Sequence, residues 1–138
     1  MVNTIDMQDM MYLNLFEKNT HVQTRFCFKY NEHIVFCVPK RLVAKAIGEG
    51  GKNIRRMSET LRRRIKVIAS PDGIEDAKKF IGDIVNPLTF NGLEIKDDEI
   101  ILNAGSQSKA ALIGRNKRRL LEMQRIVRDF FGKGFRII

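Results

Sequence analysis

The sequence predicts an α+β protein built from one six-element unit used twice, in the order helix, strand, strand, helix, helix, strand. Three observations predict it. Apolar residues recur with helical spacing in some segments and alternate in others, the periods of amphipathic helices and half-buried strands. Across their central part the halves superpose without a gap at an offset of 66 residues: Ile34, Val35 and Phe36 meet Ile100, Ile101 and Leu102, and Ile54, Met57 and Leu61 meet Leu120, Met123 and Val127. Each half also places a loop that opens on glycine, at Gly48 and Gly114, between two helical segments.

The elements follow in order. Met7, Met10, Met11 and Leu15 give a first helix over about 6–18 a wide apolar stripe, with the methionines read as core filler. From His21 to Tyr30, Val22, Thr24, Phe26, Phe28 and Tyr30 alternate with Gln23, Arg25, Cys27 and Lys29, so a strand is expected there. Phe26 and Phe28 read as core residues before base-stacking ones. Asn31-Glu32-His33 turns the chain into a second strand from Ile34 to Val38, which Pro39 ends. A short helix runs to Ile47. Beyond the loop, Ile54, Met57 and Leu61 line one buried helix face and Arg55, Arg56, Glu59, Arg62 and Arg63 the others. Arg64 to Ala69 closes the first unit as a strand. Ser70-Pro71-Asp72-Gly73 is a turn-rich junction, so the domain boundaries are set at 1–70 and 71–138. Units this small are marginal alone, and a packed pair is expected. In the second half Ile74 to Val85 reads as a helix ended by Asn86-Pro87. Strands are expected at about 88–96 and 99–103, then a short helix capped by Ser106 and ending at Ile113. A long helix marked by Leu120, Met123, Val127, Phe130 and Phe131 leads to a last strand over Phe135 to Ile138.

Composition narrows the function class. The 138 residues are 43% hydrophobic, enough for a folded core, yet no apolar run approaches the ~20 residues of a membrane span. The stretch Met1 to Asp9 is polar and acidic, unlike a signal peptide, so a cytoplasmic protein is expected. The net charge of +9 favours polyanions, and its distribution says more. Residues 40–66 hold ten basic residues against Glu49 and Glu59, and residues 109–128 hold seven against Glu122. Residues 71–108 between them carry eight acids and three lysines. The positive charge therefore gathers around the two helix–loop–helix segments. Cys27 and Cys37 are set where a hairpin could bring them face to face, but they read as buried or half-buried thiols of a reducing interior. With His21 and His33 they have neither the number nor the spacing of a zinc site, and no metal or other cofactor is expected.

The chemistry concentrates at Gly48-Glu49-Gly50-Gly51. Glycines let the loop backbone take left-handed conformations, and the following helix presents free N–H groups to an anion. Lys45, Lys52, Arg55 and Arg56 around it make a phosphate the expected anion. Helix–GxxG–helix is the phosphate-gripping element of a KH domain, which clamps about four nucleotides of single-stranded RNA. Glu49 is electrostatically wrong for that role unless its side chain points to solvent. The second loop, Gly114-Arg115-Asn116-Lys117 followed by Arg118, replaces the last glycine with Lys117, whose side chain either substitutes a charge contact or obstructs the groove. It is expected to be the weaker site. A nucleotide-hydrolysing P-loop, G-x-x-x-x-G-K-[ST], would need glycine at Ala46 and Ser or Thr at Asn53, and both fail. No catalytic residues emerge elsewhere, so no enzyme and no small-molecule substrate is expected.

The whole chain resembles the short archaeal NusA-like transcription termination and antitermination factors, which consist of two KH domains. The resemblance is carried by Tyr12-Leu13-Asn14-Leu15-Phe16-Glu17, by Ile47-Gly48-Glu49-Gly50-Gly51-Lys52-Asn53-Ile54 and by Ala111-Leu112-Ile113-Gly114-Arg115-Asn116. It implies tandem type II KH folds, each a three-stranded sheet covered by helices. It also implies RNA held by Gly48, Glu49, Gly50, Gly51, Lys52 and Arg55, with Gly114, Arg115, Asn116 and Lys117 as their counterparts. RNA polymerase is the implied partner, although this chain has no room for the polymerase-binding and S1 domains of bacterial relatives. The expected function is to hold nascent transcript and modulate elongation, termination or antitermination. The alternatives are a ribosome-associated or RNA-processing KH protein, and a protein-interaction module with relic loops.

Overall fold

The computed structural model of the protein describes residues 6–138; positions 1–5 of the polar N-terminal stretch lie outside the described residues. The chain divides into two compact units, residues 6–70 and Pro71–Ile138. Each is α+β, with a three-stranded sheet of its own.

In the first unit α1 spans Met7–Thr20, β1 Phe26–Tyr30, β2 His33–Val38, α2 Val43–Ile47, α3 Lys52–Leu61 and β3 Arg64–Ala69. This is the expected order, and the ends of α1 show why it forms. The Asp6 carboxylate accepts the Asp9 N–H at 2.8 Å, and His21, in the left-handed conformation, donates its N–H to Glu17 O. β2 is the central strand, antiparallel to β1 and parallel to β3. Asn31 and Glu32 both have positive φ (50° and 65°), the two-residue geometry that suits the twist of a hairpin. The core lies between the helices and one sheet face. Phe16 stacks on Phe36 with ring centroids 4.4 Å apart, among Tyr12, Ile34, Met57 and Val67. Each fully buried side chain of this kind contributes about 1.5–3 kcal/mol.

Two expectations fail here, and the reading of the cysteines as buried or half-buried thiols holds. The first strand begins at Phe26 because His21 is spent closing α1, leaving Val22 buried in an extended segment. Met7, Met10 and Met11 are exposed rather than core; α1 turns Tyr12 and Phe16 inward instead. The register sets Cys27 opposite Phe36 and Cys37 opposite Phe26, so the thiols sit on opposite sheet faces and are free. Cys27 lies toward α1, whereas Phe26 and Phe28 share the other face, half-buried. Burial, reinforced by Asp9 and Asp6, pushes the Cys27 thiol up to about 12, and burial raises Cys37 as well.

The second unit repeats the order with α4 Ala77–Val85, β4 Gly92–Ile95, β5 Glu99–Asn103, α5 Lys109–Ile113, α6 Arg118–Phe131 and β6 Gly134–Ile137. β5 is central, antiparallel to β4 and parallel to β6. Phe80 of α4 packs on Phe130 and Phe131 at 4.8 and 5.9 Å, and α6 also buries Met123, Ile126 and Val127. The expected cap fails: Ser106 lies in a turn, and α5 starts three residues later after Ser108, without a side-chain cap. β4 is also shorter than the expected 88–96. No helix among the described residues is long and apolar enough to cross a membrane.

Candidate nucleic-acid interface

Two loops with different sequences take the same backbone path. Gly48 has φ 82° and ψ 161°, and Gly114 has 79° and 169°. Gly50 (61°, 18°) matches Asn116 (57°, 27°), and Gly51 (75°, 21°) matches Lys117 (60°, 22°). The hydrogen bonds repeat as well. Gly48 N–H reaches Ala44 O at 3.0 Å and Gly51 N–H reaches Gly48 O at 3.0 Å; in the second loop Gly114 reaches Ala110 O and Lys117 reaches Gly114 O, at 2.9 and 3.2 Å. Lys117 therefore keeps the backbone that glycine takes in the first loop. In each loop a right-handed residue, Glu49 or Arg115, precedes a left-handed one, Gly50 or Asn116, the alternation that turns successive N–H groups toward one concavity able to receive an anion. The helix N-termini behind them, α3 and α6, add their positive ends.

The first glycine is needed for space as well as conformation. A Cβ on Gly48 would lie 2.9 Å from Asn53 Cγ and Nδ2, and one on Gly114 would lie 2.9 Å from Arg119 Cγ. A Cβ on Gly50 meets nothing within 4 Å. Asn53 and Arg119 occupy equivalent positions, and both do the same job. Asn53 Nδ2 donates to Lys45 O and Ala46 O at 3.3 and 3.2 Å, and Arg119 Nη1 donates to Ala111 O at 2.8 Å. Each pins the carbonyl end of the helix before the loop to the helix after it. Sequence reasoning missed both residues. The available signal was an Asn beside Ile54 at a position that the helix turns inward, where a polar side chain has to find partners.

The structure gathers Lys45, Gly48, Glu49, Gly50, Gly51, Lys52 and Arg55 around the first loop. Arg55 donates from Nη1 to Gly50 O, bracing the loop from α3. Glu49 is exposed, as are Lys45, Lys52 and Arg56, the last facing solvent on α3. In the second unit Arg115, Asn116, Lys117 and Arg118 are all exposed around their loop. The loops differ in what flanks them. The counterpart of Arg55 is Leu121, 57% exposed, and that of Lys45 is Ala111, so the second loop has its charge on the loop itself and a bare apolar side chain beside it.

Residues 33–83 match the KH domain family, from β2 through the first loop into α4. Sequence similarity also links the chain to archaeal NusA proteins. The chain is 28% identical over 114 residues to a probable transcription termination protein NusA of Methanococcus vannielii, covering 80% of this chain and 64% of that one. It is 29% identical over 89 residues to the protein of the same name from Methanocaldococcus jannaschii, covering 64% of this chain and 47% of that one. The chain thus spans less than two thirds of the length of these curated relatives. The crystal structure of APE1850 shares the fold, with a TM-score of 0.69 over 97% of this chain and 99% of that one at 18% identity.

Proposed function

We propose that the protein is a non-enzymatic, cytoplasmic binder of single-stranded RNA, with tandem KH domains at 1–70 and 71–138, that holds nascent transcript and modulates transcription elongation, termination or antitermination. The observation that carries this reading is the repeated loop backbone, with two left-handed residues before a helix N-terminus and exposed cations around it. The KH match over the first loop and the names of the archaeal relatives support it. RNA phosphates would seat against the loop N–H groups of Glu49 and Gly50, which head their helical turn and have no acceptor within it. Lys45, Lys52, Arg55 and Arg56 supply charge at the first loop, and Arg115, Lys117 and Arg118 at the second. RNA polymerase is the proposed protein partner.

Titration with single-stranded RNA, duplex RNA and heparin tests the binding, with the slope of log K against log salt falling by roughly 0.7 for each phosphate neutralised on a single strand. Single-stranded RNA is expected to bind tightest; equal affinity for all three reduces the protein to a general polyanion binder. A transcription reaction with the cognate polymerase tests the role. A termination yield and pause pattern unchanged by saturating protein would refute it.

A further inference from the structure

The solvent face of α3 carries more charge than the loop site uses. Lys52, Arg55, Arg56, Glu59, Arg62 and Arg63 recur at helical spacing, five cations and one carboxylate, and Arg64 follows, all of them exposed. None of Lys52, Arg55, Arg56, Arg62, Arg63 or Arg64 forms an ion pair among the described residues. The same face of α6 reads Arg118, Leu121, Glu122, Arg125, Arg128 and Asp129, three cations and two carboxylates. The stripe is therefore a property of the first unit and not a demand of the fold.

The helix end also differs. α6 continues to Phe131, whereas α3 stops at Leu61, four residues earlier in the repeat, with Arg62 left-handed at φ 52°. Ser58 Oγ donates to Arg63 O at 2.7 Å and fixes the turn that follows. Three consecutive arginines consequently stand exposed at the far end of α3, about 15 Å along the helix from the loop by the usual rise per residue. Cations near a helix C-terminus stabilise it, but that effect fades within the last turn and does not account for a row that continues back to Lys52. Unpaired like charges in a row repel one another and are relieved by a polyanion.

We infer that the Arg62-Arg63-Arg64 end of α3 is a second phosphate-binding site, which takes the backbone of the same RNA strand after it leaves the first loop. The occupant is RNA by charge complementarity, and the inference rests on the RNA-binding reading above. It makes affinity depend on strand length: a segment long enough to run from the loop along α3 gains contacts that a short one cannot make.

The test uses the full chain with an oligouridylate of about four nucleotides, the length one loop clamps, and one of about twelve, within the range single-strand binding sites span. The variant Arg62→Asn/Arg63→Gln/Arg64→Gln keeps a residue that accepts the left-handed position and removes three charges. It is expected to bind the short strand like the parent, to bind the long strand at least tenfold more weakly, and to lower the long-strand salt slope by roughly 2, about 0.7 per lost phosphate contact. Glu59→Arg, at an exposed helical site, is expected to strengthen long-strand binding alone, and it stands as the test if the triple variant does not fold. A parent that binds neither strand refutes the RNA-binding reading itself. A parent that binds both while the variants leave the long-strand affinity and slope unchanged overturns the inference and spares that reading. Equal losses on both strands also overturn it, because the arginines would then act on the loop.

Discussion

Gly48→Ala should be the most damaging single methyl group that can be added to the first loop. At φ 82° and ψ 161° the residue sits in a region open essentially to glycine, at a strain of about 1–3 kcal/mol for any other residue. The new Cβ would also stand 2.9 Å from Asn53 Cγ and Nδ2, so Asn53 must move away from the carbonyls of Lys45 and Ala46. Leaving such buried groups unsatisfied costs about 1–3 kcal/mol. Together the loss should be about 2–6 kcal/mol, a large share of the 5–15 kcal/mol that ordinarily holds a domain folded. Gly50→Ala is the control. Its Cβ meets nothing within 4 Å, and its φ of 61° is ordinary left-handed backbone, so the change should cost no more than about 1–2 kcal/mol. Urea unfolding of Gly48→Ala, Gly50→Ala, Asn53→Ala and the Gly48→Ala/Asn53→Ala pair gives the comparison. With Asn53 truncated the clash is gone, and Gly48→Ala should then cost about 1–2 kcal/mol less than in the parent. Equal costs for the two glycines, or strict additivity of Gly48→Ala with Asn53→Ala, would refute the reasoning.

Gly50→Asp and Asn116→Asp place the same added charge at equivalent positions of the two loops. RNA affinity should fall about tenfold to a hundredfold for Gly50→Asp, the effect of one carboxylate a few ångströms from a phosphate at a protein surface. It should fall less for Asn116→Asp, whose neighbours Arg115, Lys117 and Arg118 offset it; the opposite order in binding titrations of folded variants would assign the main site to the second unit. The thiols give a pH dependence with a definite sign. Cys27 and Cys37 keep their protons in the folded chain above the ordinary value of 9.0, where the unfolded chain loses them, so rising pH favours unfolding. The thiol contribution is complete below pH 9 and is lost as pH climbs toward about 12, at up to roughly 1.4 kcal/mol per pH unit for each thiol. Stability curves of the parent and of Cys27→Ala/Cys37→Val should converge on alkalinisation, and parallel curves would contradict the assignment.

Element order and both loops were legible in the sequence because each is written in local pattern: Ile54, Met57 and Leu61 at helical spacing, Gly48 and Gly114 at one offset. What was not legible depends on what lies across the fold. Met7, Met10 and Met11 make as good a helical stripe as Tyr12 and Phe16, and only packing on β2 decides which turns inward. The alternation of Phe26, Phe28 and Tyr30 gives a strand but not its phase; Cys27, not the phenylalanines, points toward α1. Ser106 has the chemistry of a cap, yet the chain turns before the helix begins. Asn53 and Arg119 share a role and no chemical likeness beyond a donor N–H, so no residue-by-residue match between the halves would have paired them.

The left-handed Lys117 carries a practical consequence for anyone wishing to watch this loop. Its Cβ leaves the backbone at the place of Gly51, where an added carbon would find only Arg55 Nη1, at an ordinary 3.7 Å. The fourth loop position therefore accepts an attachment without a change of backbone, while the first accepts none. Because both native thiols are buried or half-buried and reluctant to ionise, a cysteine installed at residue 117 would be the thiol that reagents reach first. A fluorophore or spin label fixed there would sit at the rim of the cup, reporting occupancy of the second loop separately from the first.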